Sequence, residues 1–452
     1  MKKLSSVYAD FIFETNFDKL PPEVVTKSKS RLLDTIGVSL GGYKMMEFPQ
    51  IVVEFVLEMG GAPEATVIQT KKKVPAINAA LANGACAHAL DMDDGHRFSA
   101  LHPAVAVIPA ALAAAEMSNA TTKDLITGIV VGYEIMIRIG MAINPSSLQR
   151  GFHSTGVAGA FGATAAAANI MKLGHDEIVG ALGMAGLQAS GLLAVNHDDV
   201  GAKVKPINPG KAAVSGLLSC ILARKGARGP IQIFEGEDGF LSAITDEVKD
   251  DLLISGLGEK FETLNTYDKL YAACRHTHAA MDAALEISEK NQIKPENIQK
   301  ISVETYPAAI KLAGIEEPST ASAARFSIAF SLAMLLILKD ASADKYSEET
   351  VSNRNIQNLS KKVTLSNGKK WEKAYPNQRG ATVTIIDNDN KEYTLEVELA
   401  KGEPENPASS EELYKKYLVN ATMQVSKEEA EKLGKVILDL ENRSLSEFTE
   451  LI

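Results

Sequence analysis

Between residues 76 and 225 the chain is built largely of Ala, Gly, Leu and other small or apolar residues. One dense polar segment, HALDMDDGHRFSALHP at 88–103, interrupts it. Small side chains at helical spacing let helices pack closely, so the stretch predicts helices over 76–91, 104–117, 156–192 and 209–225. The polar segment carries three carboxylates and three imidazoles in sixteen residues. Charged groups set among core-type residues need partners. Asp91, Asp93, Asp94, His96 and His102 are therefore candidates for proton transfer, because imidazole titrates near neutral pH and carboxylates do not. A solvated loop between two helices is the simpler alternative.

Residues 18–42 read as a further helix, with Pro21 and Pro22 in its first turn and Gly41-Gly42 as its stop. Thr121-x-x-Asp124 reads as a capping box. The first 260 residues thus look almost wholly helical. The composition changes near residue 265. Ile298–Tyr306 alternates apolar and polar residues as a strand does, and a helix with Arg325, Ser327, Leu332 and Leu336 follows. Ala381–Ile386 and Tyr393–Leu399 flank the turn-rich Asp387-Asn388-Asp389-Asn390 and read as a β-hairpin. After the prolines of KGEPENP, residues 409–452 return to helical patterning. The expected fold is mainly α: an all-helical domain from both chain ends (1–265 and 400–452) with a smaller inserted α+β domain (266–399). No repeat of 20–50 residues points to a solenoid.

A chain of 452 residues is long for a single core, in keeping with two domains. The net charge of −10 argues against a nucleic-acid partner. Three cysteines, Cys86, Cys220 and Cys274, form no CxxC pair and favour a reducing compartment. The N-terminal MKKLSSVYADFIFE has no apolar signal region, and the longest apolar run, Ala104–Ala115, contains Pro109 and is too short to cross a bilayer. A cytoplasmic protein with no membrane partner is expected.

Asp91-x-Asp93-x-Gly95 begins like a calcium loop, but His96 stands where that loop needs Gly and His102 where it needs Glu. His96 and His102 could reach one zinc ion, yet no HExxH or CxxC supports it, so no metal is expected. Gly156-x-x-Gly159-x-x-Gly162 lacks dinucleotide spacing and a preceding strand, and reads as helix packing. His153 precedes this wholly apolar helix, as a core histidine or a site residue. Lys205, between Val204 and Pro206, could set its ammonium beside a carboxylate. KLYAACRHTH at 269–278 brings Lys269, Arg275, His276 and His278 to the predicted domain boundary, where ligand clefts are common. Cys274 reads as a small buried hydrophobe rather than a nucleophile.

LLDTIGVSLGG, HALDMDDGHRFSALHP, GFHSTGVAGAFGATAAAA, KPINPGKAAVSG, FEGEDGF, KLYAACRHTHAAMDA and KGEPENP occur in this order in the chain. In this the chain resembles the 2-methylcitrate dehydratase (MmgE/PrpD) family, which also includes cis-aconitate decarboxylase and iminodisuccinate epimerase. The resemblance spans residues 5–450. It implies a helical domain with an α+β lid, a homodimer, no metal or organic cofactor, and an active site between the domains at Asp91, His102, His153, Lys205 and Lys269. Three departures stand out: Gly95 replaces a common Thr, Asn208 the usual His, and Phe330 the Tyr expected in the lid helix. These favour a smaller or differently shaped acid than a tricarboxylate.

The family chemistry implied is proton abstraction from carbon beside a carboxylate. Lys205, Lys269 and Arg275 would stabilise the resulting enediolate. His102 and His153 would serve as base and acid, and Asp91 would orient an imidazole. Asp91, His102, His153 and Lys269 are thus the expected catalytic residues, and Lys205, Arg275, His276 and Asn208 the expected substrate contacts. The leading expectation is a dehydratase acting on a small hydroxy di- or tricarboxylate. An epimerase of a substituted succinate, a cis-aconitate-type decarboxylase and a non-catalytic binding protein are the alternatives.

Overall fold

The computed structural model describes residues 3–68, 70–196 and 203–452. The chain divides into two compact units. The first comprises Met1–Ala89, Asp93–Thr266 and Ser410–Ile452, and the second Leu90–Met92 and Tyr267–Ser409. The fold is mainly α.

The first unit is helical, apart from a short antiparallel pair, Ala65–Val67 with Lys72–Val74, in a region expected to lack strands. Its centre is made by α1 (Pro22–Met45), α2 (Ala76–Ala87), α3 (Ala104–Ser118), α4 (Thr122–Ile143), α5 (Ser154–Ile170) and α6 (Ile207–Arg224). Glycines set the closest crossings. A Cβ on Gly84 of α2 would lie 2.8 Å from the Cα of Gly210 in α6, and one on Gly132 of α4 would lie 2.8 Å from the carbonyl oxygen of Gly162 in α5. Helix α4 is long and apolar enough to cross a membrane, but its most apolar window is wholly buried inside the protein. The C-terminal helix Ser410–Ala421 packs on α1, where Lys416 pairs with Asp34 at 2.6 Å.

Three helix boundaries differ from the sequence expectation. Gly41-Gly42 does not stop α1, which runs on to Met45. A Cβ at Gly42 would stand 2.4 Å from the carbonyl oxygen of Cys86, so this glycine serves helix contact rather than termination. The helix expected over 76–91 ends at Ala87, and Asp91 takes a left-handed backbone (φ 51°) as its segment leaves the helix. The helix expected over 156–192 is two, Ser154–Ile170 and His175–Gly186, separated by Lys172 at φ 55° and restarted by a Gly174–Glu177 cap. The Thr121–Asp124 capping box forms as read.

The second unit holds a four-stranded sheet of β1 (Ile298–Thr305), β2 (Val363–Asn367), β3 (Ala381–Asp387) and β4 (Glu392–Val397), in the order β2-β1-β3-β4. β1 and β2 run parallel, with Ile301 opposite Val363. β1 and β3 are antiparallel, Val303 opposite Val383, and β3–β4 is the expected hairpin. Ile301, Val303, Val383 and Ile385 bury the face covered by helix His278–Lys290. Arg325, expected in a helix, lies just ahead of the N-cap Ser327 of Ile328–Leu338. Its buried guanidinium donates to the carbonyls of Leu90 (2.7 Å) and Ala272 (2.9 Å), tying the three-residue Leu90–Met92 segment into this unit.

Gly42→Ala tests the close crossing of α1 and α2. Helix propensity alone would favour Ala by about 1 kcal/mol. The added carbon meets backbone rather than a movable side chain, and overpacking of that kind costs about 1–3 kcal/mol. A net loss of stability is expected in urea unfolding; an unchanged or raised midpoint would refute the reading.

Candidate functional site

In the first unit, the end of α2 and the segment that follows place His88, Asp93 and His102 together. The Nδ1 of His88 lies 3.0 and 3.1 Å from the two Asp93 carboxylate oxygens. The Nδ1 of His102 lies 2.9 Å from Asp93 Oδ2 and 2.7 Å from the Asp94 carbonyl oxygen. Both neighbours of that nitrogen are acceptors, so Nδ1 carries the proton and donates. The Nε2 of His102 is left as the basic atom, on a side chain that keeps 16% of its surface exposed.

Two backbone ties locate these rings. The Asp94 carboxylate accepts from the Ala104 amide at the start of α3 (3.1 Å) and from the Tyr133 hydroxyl of α4 (2.9 Å). The His102 amide donates to the Thr155 hydroxyl (3.1 Å) in the first turn of α5. His153 occupies the N-cap of that same helix, so Thr155 brings the two histidine-bearing segments together. The His153 ring lies 6.2 Å from that of His88, nearly parallel, and its Nδ1 is 3.0 Å from Asn208 Nδ2 in the first turn of α6. Lys205, half-buried two residues before α6, is close enough for its charge to act on His88.

The electrostatics follow from burial. Loss of water would raise Asp93, but the two imidazoles outweigh it and hold the carboxyl well below its ordinary range. Burial pushes His88 down to about 4 against the pull of Asp93, with Lys205 adding to the fall. Asp94 is pushed up to about 6 by burial, opposed by Arg31.

The second unit carries the other expected residues. Lys269, almost fully buried, donates to the Asp91 carbonyl (2.8 Å) and lies 3.2 Å from its carboxylate. His276 is half-buried, with Nδ1 2.5 Å from the hydroxyl of Tyr306. Burial, then Arg379 and Lys269, push it down to about 3.

Several expectations change. The carboxylate hydrogen-bonded to the imidazoles of His88 and His102 is Asp93, while Asp91 pairs with Lys269. Arg275, expected as a substrate contact, is bonded within the protein. It donates to Glu403 through Nε (3.1 Å) and Nη2 (3.0 Å), and to the carbonyls of Asp268, Ala400 and Lys401 and the Nδ1 of His278. A guanidinium has five N–H donors, and this one has them all engaged. His278 is structural too, its Nε2 donating to the Ala273 carbonyl (3.2 Å) while Nδ1 accepts from Arg275. Both ring nitrogens of His278 are therefore engaged within the protein. Asn208 holds the His153 ring. His96 is packed, with Nδ1 2.9 Å from the Ser99 hydroxyl and Nε2 3.5 Å from Glu262. Phe330 and Gly95 are buried, and all three cysteines are buried thiols outside any disulfide.

Sequence reasoning passed over His88 as a site residue and missed Thr155 and Tyr306. His88 stood at the end of an Ala-rich helix with nothing in its spacing to single it out. A cleft of about 610 Å³ in the first unit is lined by Glu235, Asp246 and Asp250, whose charges disfavour an acidic ligand. The imidazole–carboxylate cluster is the stronger candidate.

A family model described as the MmgE/PrpD N-terminal domain matches residues 7–252, and one described as the MmgE/PrpD C-terminal domain matches 271–442. Among characterised proteins, the chain is 28% identical over 459 residues to cis-aconitate decarboxylase of Aspergillus terreus, covering 96% of this chain and 93% of that one. It is 25% identical over 461 residues to the human cis-aconitate decarboxylase, covering 98% and 92%. With 2-methylcitrate dehydratase of Salmonella typhimurium it shares 23% identity over 464 residues, covering 93% and 91%.

Two outcomes follow from this geometry. Arg275→Gln takes from buried Glu403 the guanidinium that bonds it, so a stability loss of about 3–5 kcal/mol is expected by denaturant unfolding. A variant as stable as the parent would return Arg275 to the substrate contacts. The depressed imidazoles of His88, His276 and His278 stay neutral when folded but take up protons near 6.5 when unfolded. Their contribution is complete above that value and is lost as pH falls below 6.5, with Asp94 opposing it below about 6 and the burial-raised carboxyls of Glu134 and Asp282 opposing it further down. Stability should therefore fall on first acidifying from pH 6.5 toward 6, where the three imidazoles act before the raised carboxyls; unfolding midpoints that rise over that interval would contradict this.

Proposed function

The chain belongs to the MmgE/PrpD family, and from that premise we propose that it is a lyase acting on a small di- or tricarboxylic acid by proton transfer at the carbon beside a carboxylate. The observation that carries the reading is His102, whose Nδ1–H is held by Asp93 and the Asp94 carbonyl so that Nε2 is left to accept a proton. Asp93 remains ionised and stabilises the imidazolium that forms.

In the dehydratase form of the reaction, His102 takes the proton from carbon and the electron pair moves into the adjacent carboxylate. The dianionic enediolate then expels hydroxide from the neighbouring carbon, and His153 supplies the proton that lets it leave as water. Lys205 and Lys269 supply fixed positive charge to the substrate carboxylates, in a protein whose net charge is −10. His276 stays neutral at physiological pH, which suits a hydrogen-bond donor rather than a counter-ion. The proposal includes independence from metal and organic cofactor, a lid role for the second unit, and a cytoplasmic homodimer.

A second reading, decarboxylation of an unsaturated tricarboxylate, is favoured by the identity to the cis-aconitate decarboxylases. There the carboxylate leaves as carbon dioxide and a histidine protonates the carbanion. An epimerase of a substituted succinate would use the same proton abstraction with return of the proton to the opposite face.

Incubation with a panel of hydroxy, unsaturated and amino-substituted di- and tricarboxylates in deuterated water separates these. Loss of water, loss of carbon dioxide, or deuterium exchange with inversion identifies the reaction, and no exchange with any acid overturns the proposal. On the acid that reacts, His102→Gln or His153→Gln should lower turnover by roughly 10²–10⁴-fold. Lys205→Ala should weaken both binding and turnover, because its charge serves ground and transition states alike. Full activity is expected after exhaustive chelation, and loss restored only by zinc, iron or magnesium would defeat cofactor independence.

A further inference from the structure

We infer that His88 is a positioning residue which, by sharing Asp93 with His102, sets the basicity of the His102 Nε2. The consequence for turnover rests on the function proposed above, whereas the coupling between the two imidazoles does not.

The argument starts from one carboxylate and two rings. Asp93 is 1% exposed and accepts from both Nδ1 atoms, at 3.0–3.1 Å from His88 and 2.9 Å from His102. The ring centroids of His88 and His102 are 4.9 Å apart. The side chain of His88 has no exposed surface, and its Nε2 has no hydrogen-bond partner among the described residues. A protonated His88 would bury an N–H with no acceptor at that atom, so the ring is kept neutral, as its depressed affinity for protons requires. A neutral His88 can serve Asp93 in one way only, as an Nδ1–H donor.

That donation has a direction. An anion that accepts two hydrogen bonds spreads its charge over both, and each donor weakens its hold on the other. While His88 donates, Asp93 is a weaker partner for His102, and the imidazolium of His102 gains less from it. The charged or titratable groups around the pair include Asp91 in the same segment, Lys205 ahead of α6, His153 at the start of α5, and Asp94, itself held by Arg31 and Tyr133. The hydrogen bonds described to the Asp93 carboxylate come from the rings of His88 and His102.

The test replaces the donor and reads His102 directly. In protein labelled at the histidine ring, the His102 resonance is assigned by its absence in His102→Gln and titrated by NMR. His88→Leu removes the donor, and the His102 titration should move upward by about one pH unit. His88→Asn keeps an amide N–H in reach of Asp93 and should hold the titration within about 0.3 unit of the parent. No shift in the Leu variant, or an equal shift in both, overturns the inference. If His88→Leu does not fold, the parent protein still decides. Long-range proton–nitrogen correlations at pH 7 must show His88 and His102 both protonated at Nδ1 and bare at Nε2; His88 protonated at Nε2 refutes it. A titration shift without turnover of any carboxylic acid would sustain the coupling and defeat the functional reading. Turnover whose acid limb stays fixed in His88→Leu would do the reverse.

Discussion

Where α2 crosses α6 the two backbones meet at Gly84 and Gly210, with no room for a single added carbon. The same holds where α4 crosses α5 at Gly132 and Gly162. These crossings set the spacing of the first unit, because dense interiors transmit the separation of one helix pair to the next. They also set where the helix ends lie. The close of α2, the start of α3, the start of α5 and the start of α6 all contribute to the imidazole cluster. A looser packing would leave His88, His102, His153 and Asn208 on separate segments instead of at contact distance.

A cluster at that depth has to satisfy its own charge. Burying an isolated carboxylate costs several kcal/mol even after relaxation, and Asp93 meets this with two imidazole donors. Asp94, one residue on, is held differently, by a backbone amide and a tyrosine hydroxyl, and it is the carboxyl that burial raises toward neutral pH. Adjacent residues of one type thus end with opposite preferences. The distinction lies in their partners, since both are almost fully buried. In the second unit, the same rule separates Lys269, paired with Asp91, from Arg275, whose donors are all consumed by Glu403, His278 and main-chain carbonyls.

Such an arrangement suits chemistry on an acid. A neutral imidazole can accept a proton as an imidazolium and return it, and lysines supply the positive charge that a carboxylate ligand needs in an acidic protein. The three depressed histidines also tie stability to pH. The proton affinity that their burial suppresses in the folded state returns in the unfolded chain, so acidification works against the fold.

Much of this was legible in the chain. Helical periodicity and small residues are local properties, and they determined the helical character of residues 76–225, the Thr121 cap, and the β-hairpin near residue 390. The concentration of Asp and His at 88–103 marked the site segment, and His102 and His153 stood out because each precedes an apolar helix. Tertiary structure alone decided the rest. Gly42 looked like a stop signal until a neighbouring helix turned out to press against it. Asp91 and Asp93 are equivalent on paper, and which of them holds the imidazoles depends on a left-handed turn at Asp91 that sends the two side chains to different partners. Arg275 looked like a ligand for anions, and only the folded positions of Glu403 and His278 show its donors already spent. His88 lay in that marked segment but was not singled out, because hydrogen bonding to a shared carboxylate is a property of distances between segments, and no spacing along the chain encodes it.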